Sequence, residues 1–590
     1  MAAGRAIRLA SGGMDTAVRG GHFPRMLERW RQLGRTGFAA TPWRPAALVL
    51  FCLMLWLPGV IGIPASDRDE SRFAQGTKQM LETGDFVSIR NGDEARNRKP
   101  IGIYWLQAPF AATARAAGIA TRNPVWPYRI PSVLGGLLAV TATFGLWRGM
   151  IGREPAFVAA MMLGASVIVA VETGIAKTDA TLLGVTTLAM GLLARAYLDP
   201  GGLTATQAAI FWLAVGAGVL VKGPVTPMVV GLAVISLIVV DRRARGAAWL
   251  RALRPRWGVP LMLAIVLPWF VAIGIATGGK FFVDSIGGDL GAKLAHGDDA
   301  HGGPPGLHLV MLPLLLFPFS IPVIRGLTGA WRERRDPVIR FLLAWIVPAW
   351  IVFELVPTKL PHYALPLYPA LTLLAARWTL DPLRKPAGRW VARLWIFAFL
   401  VAAAVLGLGL VALPFVAAPG LGRLDLLGVP ALAAVGFGAW LVLRAARLED
   451  WPGVARAGLV AAPLLYWSSL GFELPELTPL WVSPRVEAAL AAHWPNGRPA
   501  DAAFGAAGFH EPSLMFLAGT DTRWLSGGPE AARFLAAAPD RVAAVGDRDV
   551  AQFRAEAEKL EVAPRAFAEI PGFKYSRGRR VTLTLFDLPR

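Results

Sequence analysis

The chain has 590 residues, 55% of them hydrophobic and only 17% charged, with a formal net charge of +20. A soluble protein of this length cannot hide that much apolar surface, whereas lipid solvates it directly. So large a positive charge would point to nucleic acid in a soluble chain, but these basic residues gather in short loops between apolar segments, where they set topology, and no nucleic-acid partner is expected.

Residues 1–45 read as a basic tail without the apolar core of a cleavable signal. About thirteen windows able to cross a ~30 Å hydrocarbon core follow. They fall at 46–64, 128–148, 155–172, 180–198, 206–221, 224–240, 258–277, 305–324, 339–356, 362–378, 391–415, 424–443 and 456–473. The lone Cys52 lies in the first of them, which excludes an intrachain disulfide. With the tail cytoplasmic, the Arg-rich loops near 148–153, 242–256, 325–340, 384–393 and 444–456 all land inside, as the positive-inside rule requires. The outer face then receives a long loop at 65–127, a polar loop at 278–304 and everything from 475 onward. It also receives short turns at Lys177/Asp179, Lys222-Gly223-Pro224 and Lys359-Leu360-Pro361-His362-Tyr363. Within the long loop, 73–81 and 104–117 pattern as helices lying along the interface. From 475, β-like runs (541–545, 580–586) alternate with helical ones (529–537, 549–560), so 475–590 reads as a small outer α/β domain. It carries no phosphate loop or metal-ligand spacing and suits a lid or acceptor-docking part. The expected fold is an all-α polytopic membrane domain over 46–474 with this α/β appendage.

The chemically distinctive residues collect on that outer face. Asp67, Asp69 and Glu70 directly follow the first span. A solvated loop start is the plainer reading of one acidic pair. Acids contribute little to topology, however, and three of them beside the membrane would repel anionic lipid. A catalytic carboxylate that accepts a proton or binds a metal explains their presence better. Asp179, at the outer end of a span, is either a helix cap or a second functional acid. Arg98, Lys99, Lys222 and Lys359 are cations on the outer face against the topogenic trend, and together they suit an anionic leaving group such as a lipid phosphate. His296 and His301 lie among Asp298 and Asp299 in spacing that matches no tight metal pattern, so a flexible polar loop is favoured over a metal site.

In combination and order these motifs resemble the GT-C membrane glycosyltransferases, in the branch holding the lipid A aminoarabinose transferases and the bacterial relatives of protein O-mannosyltransferases. The carrying residues are Arg68-Asp69-Glu70-Ser71-Arg72-Phe73-Ala74 and Lys99-Pro100-Ile101-Gly102-Ile103-Tyr104-Trp105, followed by Lys177-Thr178-Asp179-Ala180, Lys222-Gly223-Pro224 and Lys359-Leu360-Pro361-His362-Tyr363. They run from about 45 to 380. The resemblance implies a polyprenyl-phosphate-linked sugar as donor and an outer-face lipid or glycan acceptor. It makes Asp69 the catalytic acid, Asp179 the second acid and Lys99 a lysine near the donor phosphate, with Glu70 beside them. Arg72, Tyr104, Tyr363 and His301 are further substrate-site candidates. The chain departs from the pattern at Arg98, where the aminoarabinose transferases carry an acid, and at Gly287-Gly288-Asp289-Leu290, where they carry an acidic, His-containing stretch.

The expected activity is therefore transfer of a sugar from polyprenyl phosphate to an envelope acceptor at the periplasmic face of the inner membrane. The alternative within the class is a protein O-glycosyltransferase. A lipid-linked sugar transporter would place polar residues at mid-membrane depth and often show internal repeats. Spans such as 224–240 and 391–415 are apolar throughout and no repeat is evident. The residues make no cofactor certain and leave a divalent metal open.

Overall fold

The computed structural model describes residues 43–119, 123–199, 201–241, 244, 246–291, 302–381, 388–417, 422–499 and 501–589. Helix α1 (Trp43–Gly62) is the first apolar span. It leads into the outer loop, where two half-buried helices lie as expected, α2 (Asp69–Thr83) and α3 (Gly102–Ala116). Between them sits a two-stranded ribbon of β1 (Arg90–Asn91) and β2 (Glu94–Ala95). Asp69 and Glu70 fill the first turn of α2, where the helix dipole favours acids. Its far end stops at Gly84, whose φ of 73° lets the backbone N–H cap the Met80 carbonyl.

The membrane helices that follow are α4 (Trp126–Trp147), the bent pair α5 (Arg153–Gly164) and α6 (Val167–Thr173), α7 (Asp179–Leu198), α8 (Ala205–Lys222), α9 (Val225–Val240) and α10 (Pro255–Ala276). After them come α11 (Leu307–Leu315), α12 (Ser320–Arg332), α13 (Pro337–Leu355), α14 (Tyr368–Thr379), α15 (Arg389–Ala417), α16 (Val429–Arg447) and α17 (Trp451–Ser468). Nine helices among the described residues are long and apolar enough to span, or ten if the α5–α6 pair, bent by 61°, counts as one. The chain is thus a multi-pass membrane protein. The remaining expected spans are helical but short or broken. α9 has 16 residues. The window at 305–324 divides into α11 and α12, with Pro318 in the gap, and 362–378 begins as a 3₁₀ turn over Pro361–Leu367 before α14. Proline removes a backbone donor and crowds the preceding turn, which ends helices at these points.

α4 and α7 cross with their backbones in contact. A Cβ on Gly184 would lie 2.4 Å from the Gly135 carbonyl oxygen, so only small residues allow this approach. The crossing fixes Arg129, near the start of α4, relative to Asp179, the first residue of α7.

Beyond α17, helix α18 (Val482–His493) precedes a five-stranded sheet. Its parts in chain order are β3 (Ala503–Ala507), α19 (Pro512–Ala518), β4 (Arg523–Leu525), α20 (Gly528–Ala536), β5 (Arg541–Gly546), α21 (Val550–Lys559), β6 (Arg565–Lys574) and β7 (Arg579–Asp587). The strand order is β4-β3-β5-β7-β6, with the first three parallel and β7 antiparallel to both neighbours. The side-chain period of two divides the core. Phe504 and Val542 face α18 and α19, while Ala507 and Val545 face α20 and α21. The sheet docks on the outer loop through α19. Phe516 packs with Ala74, Ala111 and Tyr128, and Lys78 on α2 donates to the Phe516 carbonyl at 2.9 Å.

Candidate active site

The first loop is anchored from below by a residue inside α4. Arg129, 1% exposed, grips the Glu70 carboxylate with Nε at 2.7 Å and Nη2 at 2.9 Å. The same guanidinium donates to the carbonyls of Val60, Ile63 and Pro64 at the end of α1. Glu70 also accepts from the backbone N–H groups of Ser66 and Ala176, each at 2.9 Å. Burial alone would raise its pKa, but Arg129 and these donors hold it below the usual carboxylate range. Every lone pair of Glu70 is engaged, so it is a joint of the loop rather than a reacting group.

One helical step away, Asp69 points the other way, because successive residues turn by ~100°. It faces a cavity of about 550 Å3. Its side chain is 57% exposed, with Arg72 at 3.6 Å as ion-pair partner. On the loop side the cavity is lined by Arg96, Arg98 and Lys99, and Arg96 stacks over Phe73 at 5.1 Å.

The opposite wall is a buried ion cluster built from helix ends. Asp179 opens α7 and Lys222 closes α8, and the ammonium donates to the carboxylate. Lys177 lies 3.6 Å from Asp179 and 3.0 Å from Glu172, near the end of α6. His362, in the turn before α14, places Nε2 at 3.7 Å from Asp179 and Nδ1 at 3.6 Å from Glu172. Burial alone would lower the Lys177 pKa, but Glu172 and Asp179 more than reverse this and keep it charged. Burial pushes His362 well below its usual range. Asp179 opposes the shift, while Lys177, Lys222 and Lys99 add to it. Lys222 also sits 5.4 Å from the centroid of the Tyr363 ring, which lines the cavity.

One ligand atom each from Glu172, Asp179 and His362 lie within 4.8 Å of one another, a spacing open to a metal ion. The donor set does not fit one. Lys177 and Lys222 already neutralise the two carboxylates, and a divalent cation among them would face two buried ammonium groups at close range.

Of the residues expected at the site, Asp69, Arg72, Arg98, Lys99, Asp179, Lys222 and Tyr363 meet around this cavity. Glu70 reaches its edge but is locked on Arg129. Tyr104 does not line it. Its ring is buried behind Phe73, 5.4 Å between centroids, as part of the loop core. Lys359 is also directed away. The chain turns Thr358 and Leu360 toward the cavity, while Lys359 is buried and donates to the Val356 carbonyl at 2.8 Å. His301 lies outside the described residues. Arg129, Glu172 and His362 are the additions that the sequence reading missed. Arg129 and Glu172 did carry a signal, being ionisable residues within apolar windows, where charge is expensive and usually functional.

Known proteins share this architecture. The family model described as dolichyl-phosphate-mannose-protein mannosyltransferase matches residues 98–271. An undecaprenyl phosphate-alpha-4-amino-4-deoxy-L-arabinose arabinosyl transferase from Pectobacterium carotovorum is 27% identical over 446 residues, 72% of this chain and 75% of the relative. The corresponding protein of Pseudomonas paraeruginosa is 28% identical over 341 residues, and that match spans only 57% of its length. The crystal structure of ArnT from Cupriavidus metallidurans in the apo state superposes with a TM-score of 0.68 at 20% identity, covering 92% of this chain and 98% of that one. The chain has the GT-C fold of a multi-pass membrane protein. The same ArnT has been solved bound to undecaprenyl phosphate, and that structure gives a TM-score of 0.65 at 21% identity.

Proposed function

We propose that the enzyme moves a sugar from a polyprenyl-phosphate donor to an envelope acceptor, lipid A or another glycolipid or glycan, at the periplasmic face of the inner membrane. The observation that carries this reading is the arrangement around the cavity: the exposed carboxylate of Asp69, at the start of α2, facing a bank of cations at the outer ends of membrane helices. Arg98 and Lys99 take the donor phosphate and stabilise the charge that develops as it leaves. An acceptor hydroxyl attacks the anomeric carbon, the bond from that carbon to the phosphate oxygen breaks, and polyprenyl phosphate departs with the electron pair. The hydroxyl proton passes to Asp69, and a single displacement inverts the anomeric centre. Asp179, saturated by Lys222, Lys177 and His362, holds the helix ends in register and cannot serve as the base without giving up those partners. A protein acceptor is the second reading, favoured by the mannosyltransferase family match over 98–271.

The test is transfer from an undecaprenyl-phosphate-linked sugar by the full-length enzyme in nanodiscs. Asp69→Asn should cut the rate by ~10²–10⁴ while undecaprenyl phosphate still binds. A wild-type rate in that variant would sink the assignment. Mass spectrometry of lipid A, envelope glycans and secreted proteins from strains with and without the enzyme identifies the acceptor.

A further inference from the structure

A second cavity of about 380 Å3 opens where the C-terminal sheet meets the first loop. The sheet topology dictates its place. β3 and β5 are parallel neighbours, and the helices that follow them, α19 and α21, pack on opposite faces. The two connections diverge, leaving a crevice outside the carboxyl ends of the strands, which is where open α/β sheets take their ligands. Gly508 and His510 follow β3, Asp549 follows β5, and all three line the cavity. Gly508 has φ +80°, and a Cβ there would lie 2.6 Å from Asp549 Oδ2, so glycine keeps the crevice open.

The remaining walls are cationic. Arg68 and Arg72 reach in from the first loop, and Lys574, Arg577 and Arg579 from the β6–β7 turn, against the carboxylates of Glu511 and Asp549. Glu511 is engaged by Lys574 at 3.1 Å. Among the described residues neither Arg577 nor Arg579 has an ion-pair partner, and the Arg579 Nε is buried without a hydrogen bond. Guanidinium groups crowded round a recess repel one another, and a bound oxyanion with forked acceptors relieves that repulsion. The backbone adds an independent sign. Arg68 holds φ +65°, a region that non-glycine residues occupy only under constraint, and its guanidinium donates to the Ser576 carbonyl across the seam. Arg68 and Arg72 line the donor cavity too, so the two chambers share one wall.

We propose that this crevice is a second oxyanion site, separate from the donor phosphate site, that holds a non-reacting phosphate of the acceptor while its hydroxyl reaches Asp69. The inference rests on the transferase reading above and adds to it where the acceptor is gripped and by what group. The C-terminal domain is then part of the acceptor site, and an acceptor phosphate bridges it to the catalytic loop.

The test uses the full-length enzyme in nanodiscs and two synthetic acylated disaccharides, identical except for one phosphate on the ring away from the accepting hydroxyl. The phosphorylated lipid should bind about tenfold or more tightly, the range for hydrogen bonds to a charged group. Arg577→Gln with Arg579→Gln should erase the difference. Undecaprenyl phosphate, bound in the other chamber, reports that the variant is folded. Should the double variant fail that check, Arg577→Gln alone, at an exposed position of the turn, should still narrow the preference. Equal binding of the two lipids, or a phosphate preference that survives the substitutions, overturns the proposal. Sugar transfer indifferent to the phosphate and to both arginines defeats the second site and leaves the transferase standing. Phosphate-dependent binding without any transfer leaves the site standing and defeats the transferase.

Discussion

Asp69 and Glu70 are adjacent acids with opposite fates, and the difference comes from the turn of one helix. In the sequence both are candidate carboxylates. In the structure Asp69 faces the cavity, while Glu70 faces α4 and is consumed by Arg129. No local pattern distinguishes the two, since the partner lies 59 residues along the chain. Lys359 and Tyr104 went astray for the same reason: their motifs are adjacent to the cavity, but the backbone turns these side chains into the core. The Glu70–Arg129 pair yields a direct prediction. Arg129→Met leaves a buried carboxylate without its counter-charge, a change worth about 3–5 kcal/mol. Arg129→Lys should recover little, because a point charge cannot span both carboxylate oxygens and the α1 carbonyls. Thermal unfolding in detergent reads the loss. A midpoint unchanged in Arg129→Met would show that the clamp is not what holds the loop.

At the scale of elements, apolar windows and outer-loop periodicity located most of the helices, and alternation located β5 and β7. The breaks were harder to see. α11 and α12, or α5 and α6, read as continuous apolar segments because hydropathy does not register a bend. The contact between α19 and the first loop was invisible for another reason. It joins residues far apart in sequence, as where Phe516 packs on Ala74 and Ala111 and where Gln75 donates to Thr520, just beyond α19, at 2.9 Å. One of these contacts titrates. Asp67 accepts from the Ser513 hydroxyl, its backbone N–H donates to Tyr575, and Glu511 and Lys574 stand nearby. Burial, then Glu511, pushes its pKa up to about 7, and the hydroxyls of Ser513 and Tyr575 and the Lys574 charge only partly offset them. A carboxyl with a pKa raised by folding keeps its proton in the native state after the unfolded chain has lost it. This contact therefore stabilises less as pH rises from about 4 to about 7. Asp67→Asn should flatten that part of the stability–pH profile. Hydrogen exchange in α19, followed between pH 5 and 8, checks it: protection should fall with pH in the wild type and stay level in the variant. A wild-type profile without slope would remove Asp67 from the seam.

For the whole molecule, the strongest constraint is that the candidate site and the C-terminal sheet share one side of the membrane. Asp69, Lys99, Asp179 and Lys222 sit at helix ends or in loops that open on one cavity, and the sheet packs on the same loop. Arg-rich connections such as that preceding α10 belong to the opposite face if the helices alternate, as short basic loops do on the cytoplasmic side. The short and broken helices make this a real test, because losing one crossing would carry every later loop to the wrong side. Glu94 on the first loop, Arg251 before α10 and Gln552 on α21 are all exposed, so side alone decides their reactivity. Single cysteines there, in a Cys52→Ala background, are exposed to a membrane-impermeant thiol reagent on intact spheroplasts. Labelling is expected at 94 and 552 and, only after lysis, at 251. Labelling of 251 on intact cells would break the alternation. Protection of 552 together with labelling of 94 would be irreconcilable with a sheet that docks on α2, and would remove the shared chamber wall on which acceptor capture depends.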